Sequence, residues 1–473
     1  MMKQRIIPGN ILFPFILLTA LFFAWAIPNN LTDTMLAAFK RIMSLSDSKT
    51  AWIQVVCYLL GYGCCAIPGA LFIKRYSYKS GVLLGLTLFA SGCFLFYPAM
   101  MCLQIHADVS FVMYLFAIFI LFAGLSVLET STNSYVYAIG PEETATRRLN
   151  FAQSFNPFGA IAGVVISQVF VLSQLNLLTA SERASLAAGD LAAIQSQELH
   201  SVTNTYVILG LVMFALLVAI FFTRMPHLKE GGRKIALGAT FKRLLGNRNY
   251  VWGVVAQFFY VGAQISVWSF IIRYAMQQLN LDGVVAALGD QAASADVVAA
   301  LRNVEPVAAG FYNLCEAVGL DDLLPRTSEQ AGATYYILSL VLFVVARFVC
   351  TGLMNYFKPR AILSVLAVTA VGCCLLTVYG SGFAGVYSLM GITACMSLMF
   401  PTIYGMGIRG LGEDTKIGGA GMVMAIAGAA LLTQIQGIVS DSSSIQQAYW
   451  IPAFAFAVIA WYGLVICKKY DAK

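Results

Sequence analysis

The sequence predicts an all-α membrane protein: twelve transmembrane helices in two pseudo-symmetric six-helix halves. Three observations predict it. Hydrophobic residues make up 59% of the 473 and charged residues only 11%, where a soluble domain carries about 25% charged residues. Apolar runs long enough to cross a bilayer recur from end to end, without the period-2 alternation of a barrel. The connections between these runs alternate in charge, as they do when basic loops stay on the cytoplasmic side.

In order, the expected spans are 11–38, 51–73, 80–101, 110–139, 150–173, 203–223, 251–275, 334–357, 361–380, 384–408, 417–439 and 449–467. The first lacks a cleavage signature and contains Asn29, Asn30 and Asp33, so it reads as a retained helix and not as a signal peptide. The even-numbered connections are basic: Lys74, Arg75 and Lys79; Arg147 and Arg148; Lys358 and Arg360; Arg409 and Lys416. The sixth is the most basic, with Arg224, Lys229, Arg233, Lys234, Lys242, Arg243 and Arg248. Both termini are therefore expected in the cytoplasm, and the location expected is the bacterial inner membrane. Lys40, Arg41 and Lys49 in the first connection weaken the pattern without reversing it.

This gives an amino-terminal half (1–223), a basic linker (224–250) and a carboxy-terminal half (251–473). The turn at Gly69–Arg75 is echoed at Gly352–Lys358, and Gly140-Pro141-Glu142-Glu143 is echoed at Gly410–Asp414. Two such halves are the arrangement of a secondary transporter, with its site near the midplane. An insertion at 277–332 is rich in Ala and acidic residues. Its apolar positions at Val284–Leu288, Val297–Leu301 and Tyr312–Val318 predict short amphipathic helices, forming an outer cap or lid or else an insertion without a role in transport.

The net charge of +7 follows from the basic connections and does not point to nucleic acid. Most of the eleven cysteines sit inside apolar runs, as small hydrophobes do. Only Cys102 and Cys315 fall near external segments, and their spacing does not imply a bridge. The three histidines lie outside the spans, and no metal-ligand cluster is present in the sequence. No cofactor and no nucleic acid is expected, and the bilayer is an expected partner, for a chain acting as a monomer. No HExxH, Ser-His constellation or phosphate loop argues for an enzyme.

Polar groups within the spans mark the candidate site. Glu129 sits inside the fourth span with Asn133 one turn away, and Asn150, Gln153 and Asn156 open the fifth on one face. A carboxylate at mid-membrane facing lipid costs at least about 2.5 kcal/mol. Trp25, Asn29 and Asp33 align along the first span, where Pro28 weakens the helix. With no intramembrane histidine, the carboxylates Asp33 and Glu129 are the available proton carriers; Asp33 also fits a place at the water interface. Gln257, Tyr260, Gln264 and Trp268 form one stripe of amides and aromatics on the seventh span. Such a stripe suits a sugar, and it also suits interhelical hydrogen bonding. Arg347, in the eighth span, requires an anionic or strongly accepting partner: Glu129, substrate oxygens or a structural pair. Arg273 reads as an interfacial anchor.

At these residues the chain resembles the fucose:proton symporter family of the major facilitator superfamily. The resemblance rests on Phe23-Ala24-Trp25-Ala26 with Asn29–Asp33, on Leu128-Glu129-Thr130 with Asn133, and on Asn150–Asn156 with Phe158-Gly159-Ala160. It continues through Ala256-Gln257-Phe258, Tyr260–Gln264, Trp268-Ser269 and Ile272–Ala275, and through Pro401-Thr402-Ile403 with Leu411–Lys416. It implies a twelve-helix fold and proton-coupled uptake of a monosaccharide, L-fucose first, then glucose, galactose or N-acetylglucosamine. It implies a proton-carrying carboxylate at Asp33 and a sugar-recognition carboxylate at Glu129. Trp25, Asn30, Gln153, Asn156, Trp268 and Arg347 match positions expected to line the family's cavity. Two departures stand out: the superfamily's loop acid after the second span is Ile73 here, and the 277–332 insertion is additional. The competing readings are a transporter of another polar solute, an exporter, or a sugar sensor without flux. A sensor would carry a long signalling tail, and little follows Lys468.

Overall fold

The computed structural model of the chain describes residues 11–43, 47–104, 106–171, 183, 185–226, 237–288, 294–304, 306–320, 323–325 and 328–468. Every regular element among them is helical. The chain forms two compact units. Unit 1 comprises residues up to Phe258 together with Pro401–Ala430, and unit 2 comprises Phe259–Phe400 with Leu431–Lys473.

Eleven helices among the described residues are long and apolar enough to cross a membrane. They correspond to every expected span except 150–173. That stretch is also helical, but it is broken into α7 (Ala145–Gln153) and α8 (Asn156–Phe170). The cause is local. Pro157 has no N–H for the Gln153 carbonyl and disfavours helical geometry in the residue before it. The chain passes the break through tight turns, Ser154 N–H to Phe151 O and Phe155 N–H to Ala152 O.

Unit 1 opens with α1 (Leu12–Ile42). Then α2 (Asp47–Gln54) passes through a π-helical stretch, Val55–Cys64, into α3 (Cys65–Arg75). The helices α4 (Tyr78–Phe94), α5 (Phe96–Met101) and α6 (Ala107–Ala138) follow, with Ser77 capping α4 by accepting from Ser80 N–H. α6 is buried along its whole second half, from Leu121 to Tyr137, and so it is the central helix of the unit. α1 and α8 lie almost backbone to backbone. A Cβ on Gly159 would stand 2.0 Å from the Phe23 carbonyl oxygen, and one on Gly163 would stand 2.5 Å from that of Ile27.

The sixth span begins earlier than hydropathy indicates: α9 runs Ala188–Phe222, not from 203. Its first turns, Ala188–Ile194, are separated from the apolar run by the polar stretch Gln195–Asn204, which continues the helix without continuing the apolar run. The buried pair Arg183–Glu198, with Nη1 to Oε2 at 2.9 Å, fixes this polar end. The linker then forms α10 (Leu237–Gly246), and α11 (Arg248–Gln278) follows it.

In unit 2 the insertion is helical, as its periodicity predicts: α12 (Leu281–Ala286), α13 (Ser294–Val304) and α14 (Pro306–Val318). Val297, Val298, Leu301, Ala308 and Tyr312 are buried. Arg302 pairs with Glu316 at 2.6 Å across α13 and α14, and the Tyr312 hydroxyl lies 3.3 Å from that of Thr334 on α15 (Ser328–Leu353). The insertion is thus a packed helical element.

The remaining helices are α16 (Pro359–Tyr379), α17 (Phe383–Met396), α18 (Met399–Gly407), α19 (Thr415–Met424), α20 (Gly428–Ser442) and α21 (Trp450–Trp461). All eleven cysteines are free thiols, Cys102 and Cys315 included.

The α1–α8 contact yields a prediction. Gly159→Ala places a methyl against the Phe23 carbonyl and should destabilise the protein by about 1–3 kcal/mol. Thermal unfolding of the purified variant in detergent checks this, and an unchanged midpoint would show that the two helices are not in backbone contact.

Candidate functional site

In unit 1 the buried carboxylate of Glu129 is the centre of a short polar relay. The Tyr62 hydroxyl donates to Glu129 Oε1 at 3.3 Å and accepts from Asn29 Nδ2 at 3.4 Å. The relay joins α1, the π-helical stretch and α6. Widening of the helix to i→i+5 bonding at 55–64 is typical of functional positions; here it carries Tyr62, which is 1% exposed. Among the described residues Glu129 Oε2 has no partner, and neither has Asn133 Nδ2 one turn along the same face. Asn133 Oδ1 accepts from Gln153 Nε2 at 2.7 Å, so the end of α7 is docked on α6 at the level of the carboxylate.

Asn156, the first residue of α8, donates to the Phe22 carbonyl at 3.1 Å. Asn30 donates to the Ala26 carbonyl one turn earlier at 2.9 Å, and Trp25 is buried with its ring 4.4 Å from that of Phe22. Asp33 lies on α1, and its side chain is outside the described residues. Asn150 turns away from this group and shares hydrogen bonds with Thr402 at 3.3–3.4 Å. Gln257 is fully buried with both amide atoms unpartnered.

Unit 2 holds a second set, organised by another broken helix. Pro401 has no N–H for the Ser397 carbonyl, and α17 gives way to α18 across Ser397 and Leu398. The freed carbonyls are taken by side chains: Arg347 Nε donates to Ser397 O, and the Tyr260 hydroxyl donates to Met396 O at 3.0 Å. The Arg347 guanidinium also lies over the Phe343 ring at 4.8 Å, and Trp268 packs edge-on against the same ring at 5.4 Å. The backbone carbonyl thus supplies the strongly accepting partner that a mid-span arginine needs. Among the described residues the Trp268 indole N–H and the Ser339 and Ser397 hydroxyls have no partner. Gln264 is half-buried on the same helix, and Arg273 is exposed at its end over Phe270.

Two residues of these sets escape a reading of the sequence. Tyr62 sits in an apolar run where tyrosine reads as core. Gln436 on α20 is fully buried with both amide atoms unpartnered, a state shared among the described residues only with Gln257. Its position beside α11 follows from Thr433 and Gly437: the Thr433 hydroxyl is 3.5 Å from that of Ser266, and a Cβ on Gly437 would meet the Phe270 ring at 3.9 Å. The sequence signal was present, as an amide inside an apolar run. No three His, Cys, Asp or Glu side chains gather as metal ligands among the described residues.

The profile of the Major Facilitator Superfamily matches residues 12–304. The L-fucose-proton symporter of Haemophilus influenzae is 35% identical over 479 residues, covering 98% of each chain. The chain belongs to the fucose:proton symporter family of the major facilitator superfamily. The Escherichia coli L-fucose-proton symporter is 34% identical, over 94% of this chain and 91% of that one. The Brucella abortus glucose/galactose transporter is 29% identical, over 96% and 93%. The solved structure of the Escherichia coli transporter FucP in the outward conformation superposes with a TM-score of 0.78, at 32% identity, over 95% of this chain and 97% of that one. The fold is the all-α fold of that superfamily.

The contrast between paired and unpaired groups is testable by stability. A buried polar atom without a partner costs about 1–3 kcal/mol. Gln257→Met and Gln436→Met should therefore raise the thermal midpoint of the sugar-free protein, while Tyr62→Phe, which removes a made hydrogen bond, should lower it. Lowered midpoints for both methionine variants would mean that those amides have partners in the resting protein.

Proposed function

We propose that this member of the family is a secondary active transporter that takes up a monosaccharide together with a proton by alternating access, with L-fucose as the leading substrate. Full-length similarity to two L-fucose-proton symporters supports the substrate. One observation carries the chemistry: the buried Glu129 carboxylate has one oxygen held by Tyr62 and the other unpartnered beside the unpartnered Asn133 amide. A sugar hydroxyl both donates and accepts, and it is the complement of such a pair.

In this reading Glu129 recognises the sugar and takes part in coupling, and Asp33 carries the proton. Trp25, Asn30, Asn133, Gln153, Asn156, Gln257, Tyr260, Gln264, Trp268 and Arg347 are the candidate hydroxyl partners and stacking faces for the substrate. Gln436 joins them. The spans form twelve helices in two six-helix halves, with α7 and α8 together making the fifth. The basic connections support cytoplasmic termini, and the transporting species is a monomer. A second reading, a hexose such as glucose or galactose, is favoured by the equally full-length Brucella relative.

Uptake of labelled L-fucose, D-glucose, D-galactose and N-acetylglucosamine into proteoliposomes, with and without an inward proton gradient, tests the proposal. L-Fucose should accumulate against its gradient only when protons flow inward. Asp33→Asn should abolish accumulation while sparing sugar binding, and uphill uptake by that variant would remove Asp33 from the coupling. Sugar binding by the wild type without any flux would favour the sensor.

A further inference from the structure

Unit 1 contains an apolar cavity of about 200 Å³ that is separate from the polar site. Its wall is made by Phe241, Leu244 and Leu245 of the linker helix α10, by Val254 of α11, and by Ile67 and Met424 of α3 and α19. Nothing in this lining suits a sugar or an inorganic ion.

The position of the cavity is fixed by the charges around it. Ile67 lies two turns before Arg75, so the cavity is on the order of 10 Å deeper than the basic end of α3. On α10 the residues Phe241, Leu244 and Leu245 share one face at helical spacing, while Lys242 is exposed. Arg248, at the start of α11, is exposed too. Neither Lys242 nor Arg248 forms an ion pair with a described residue.

Their neighbour Arg243 behaves differently. Its Nε reaches Asp414 Oδ2 at 2.7 Å and its Nη2 reaches Oδ1 at 2.8 Å, a two-point clamp on the residue that precedes α19. Arg243 is thus committed to the protein, and Lys242 and Arg248 are left for something else. A hydrocarbon wall beside two exposed cations without an ion pair among the described residues is complementary to a molecule with an acyl chain and an anionic head.

We propose that this cavity binds one acyl chain of an anionic glycerophospholipid, with Lys242 and Arg248 facing its phosphate. The bilayer that surrounds the family supplies the ligand. The bound lipid bridges α10 and α19, the two helices already joined by Arg243 and Asp414. It therefore acts as a structural ligand of the linker, distinct from the sugar and the proton.

The test uses the full-length protein purified and stripped of lipid in detergent. The probes are phosphatidylglycerol, phosphatidylcholine with the same acyl chains, and inorganic phosphate. Native mass spectrometry reads retained lipid, and thermal unfolding reads stabilisation. Phosphatidylglycerol should be retained at one copy and raise the unfolding midpoint; phosphatidylcholine should be retained more weakly, and phosphate should have no effect. Lys242→Gln and Arg248→Gln should each weaken phosphatidylglycerol retention about fivefold. Val254→Phe, which fills the cavity, should abolish it. The two glutamine variants change exposed residues and keep the test open if Val254→Phe does not fold. Equal retention of the two lipids by the wild type would overturn the proposal, as would stabilisation by phosphate alone. So would undiminished phosphatidylglycerol binding by both glutamine variants.

Discussion

A polar atom inside a membrane span must find a partner, because the bilayer core offers none. Glu129 states this constraint most sharply. One hydrogen bond from Tyr62 holds one of its oxygens, and the other has no partner among the described residues. Much of unit 1 is arranged around that carboxylate. The π-helical stretch brings Tyr62 to it, Asn29 supports Tyr62 from α1, and Gln153 fixes Asn133 one turn away. Close α1–α8 packing at Gly159 and Gly163 sets the bond from Asn156 to the Phe22 carbonyl.

The same constraint explains the proline breaks. Pro157 and Pro401 each cost a helix one hydrogen bond and release a carbonyl. At Pro401 the released Ser397 carbonyl accepts from Arg347, so a mid-span guanidinium is held by a backbone dipole and an aromatic face. Elsewhere in unit 1, Lys416 donates to the carbonyl of Ile73 at 3.1 Å and lies 4.7 Å from the centre of the Tyr78 ring. The resemblance to the superfamily leads one to expect an acid at Ile73. Here the backbone at the carboxyl end of α3, negative by its dipole, accepts the cation where the side chain does not.

The helical fold was legible in the sequence because apolar run length is a direct consequence of bilayer thickness. The fifth span was legible as an apolar run but not as two helices, since its break depends on which carbonyls Pro157 strands. The start of α9 was hidden because the polar stretch Gln195–Asn204 cuts it off from the apolar run that marks the span. Glu129 and Asn133 were legible as a pair because helical spacing puts them on one face. The docking of Gln153 on Asn133 joins two helices, and the turning of Asn150 to Thr402 splits its own group; spacing along one helix gives neither. Tyr62 was not legible, because a tyrosine in an apolar run looks the same whether its hydroxyl is idle or holding a carboxylate. The partner of Arg347 was also out of reach, being a backbone atom that any residue could provide.

In the proposed function, Glu129 is kept in the membrane for a sugar hydroxyl. Calorimetric titration of purified Glu129→Gln with L-fucose tests it most directly, because the substitution keeps shape and removes charge. Loss of the charged acceptor should weaken binding by about tenfold or more, roughly 1.4 kcal/mol. Binding as tight as that of the wild type would contradict the account and leave Glu129 as a proton relay or a structural group.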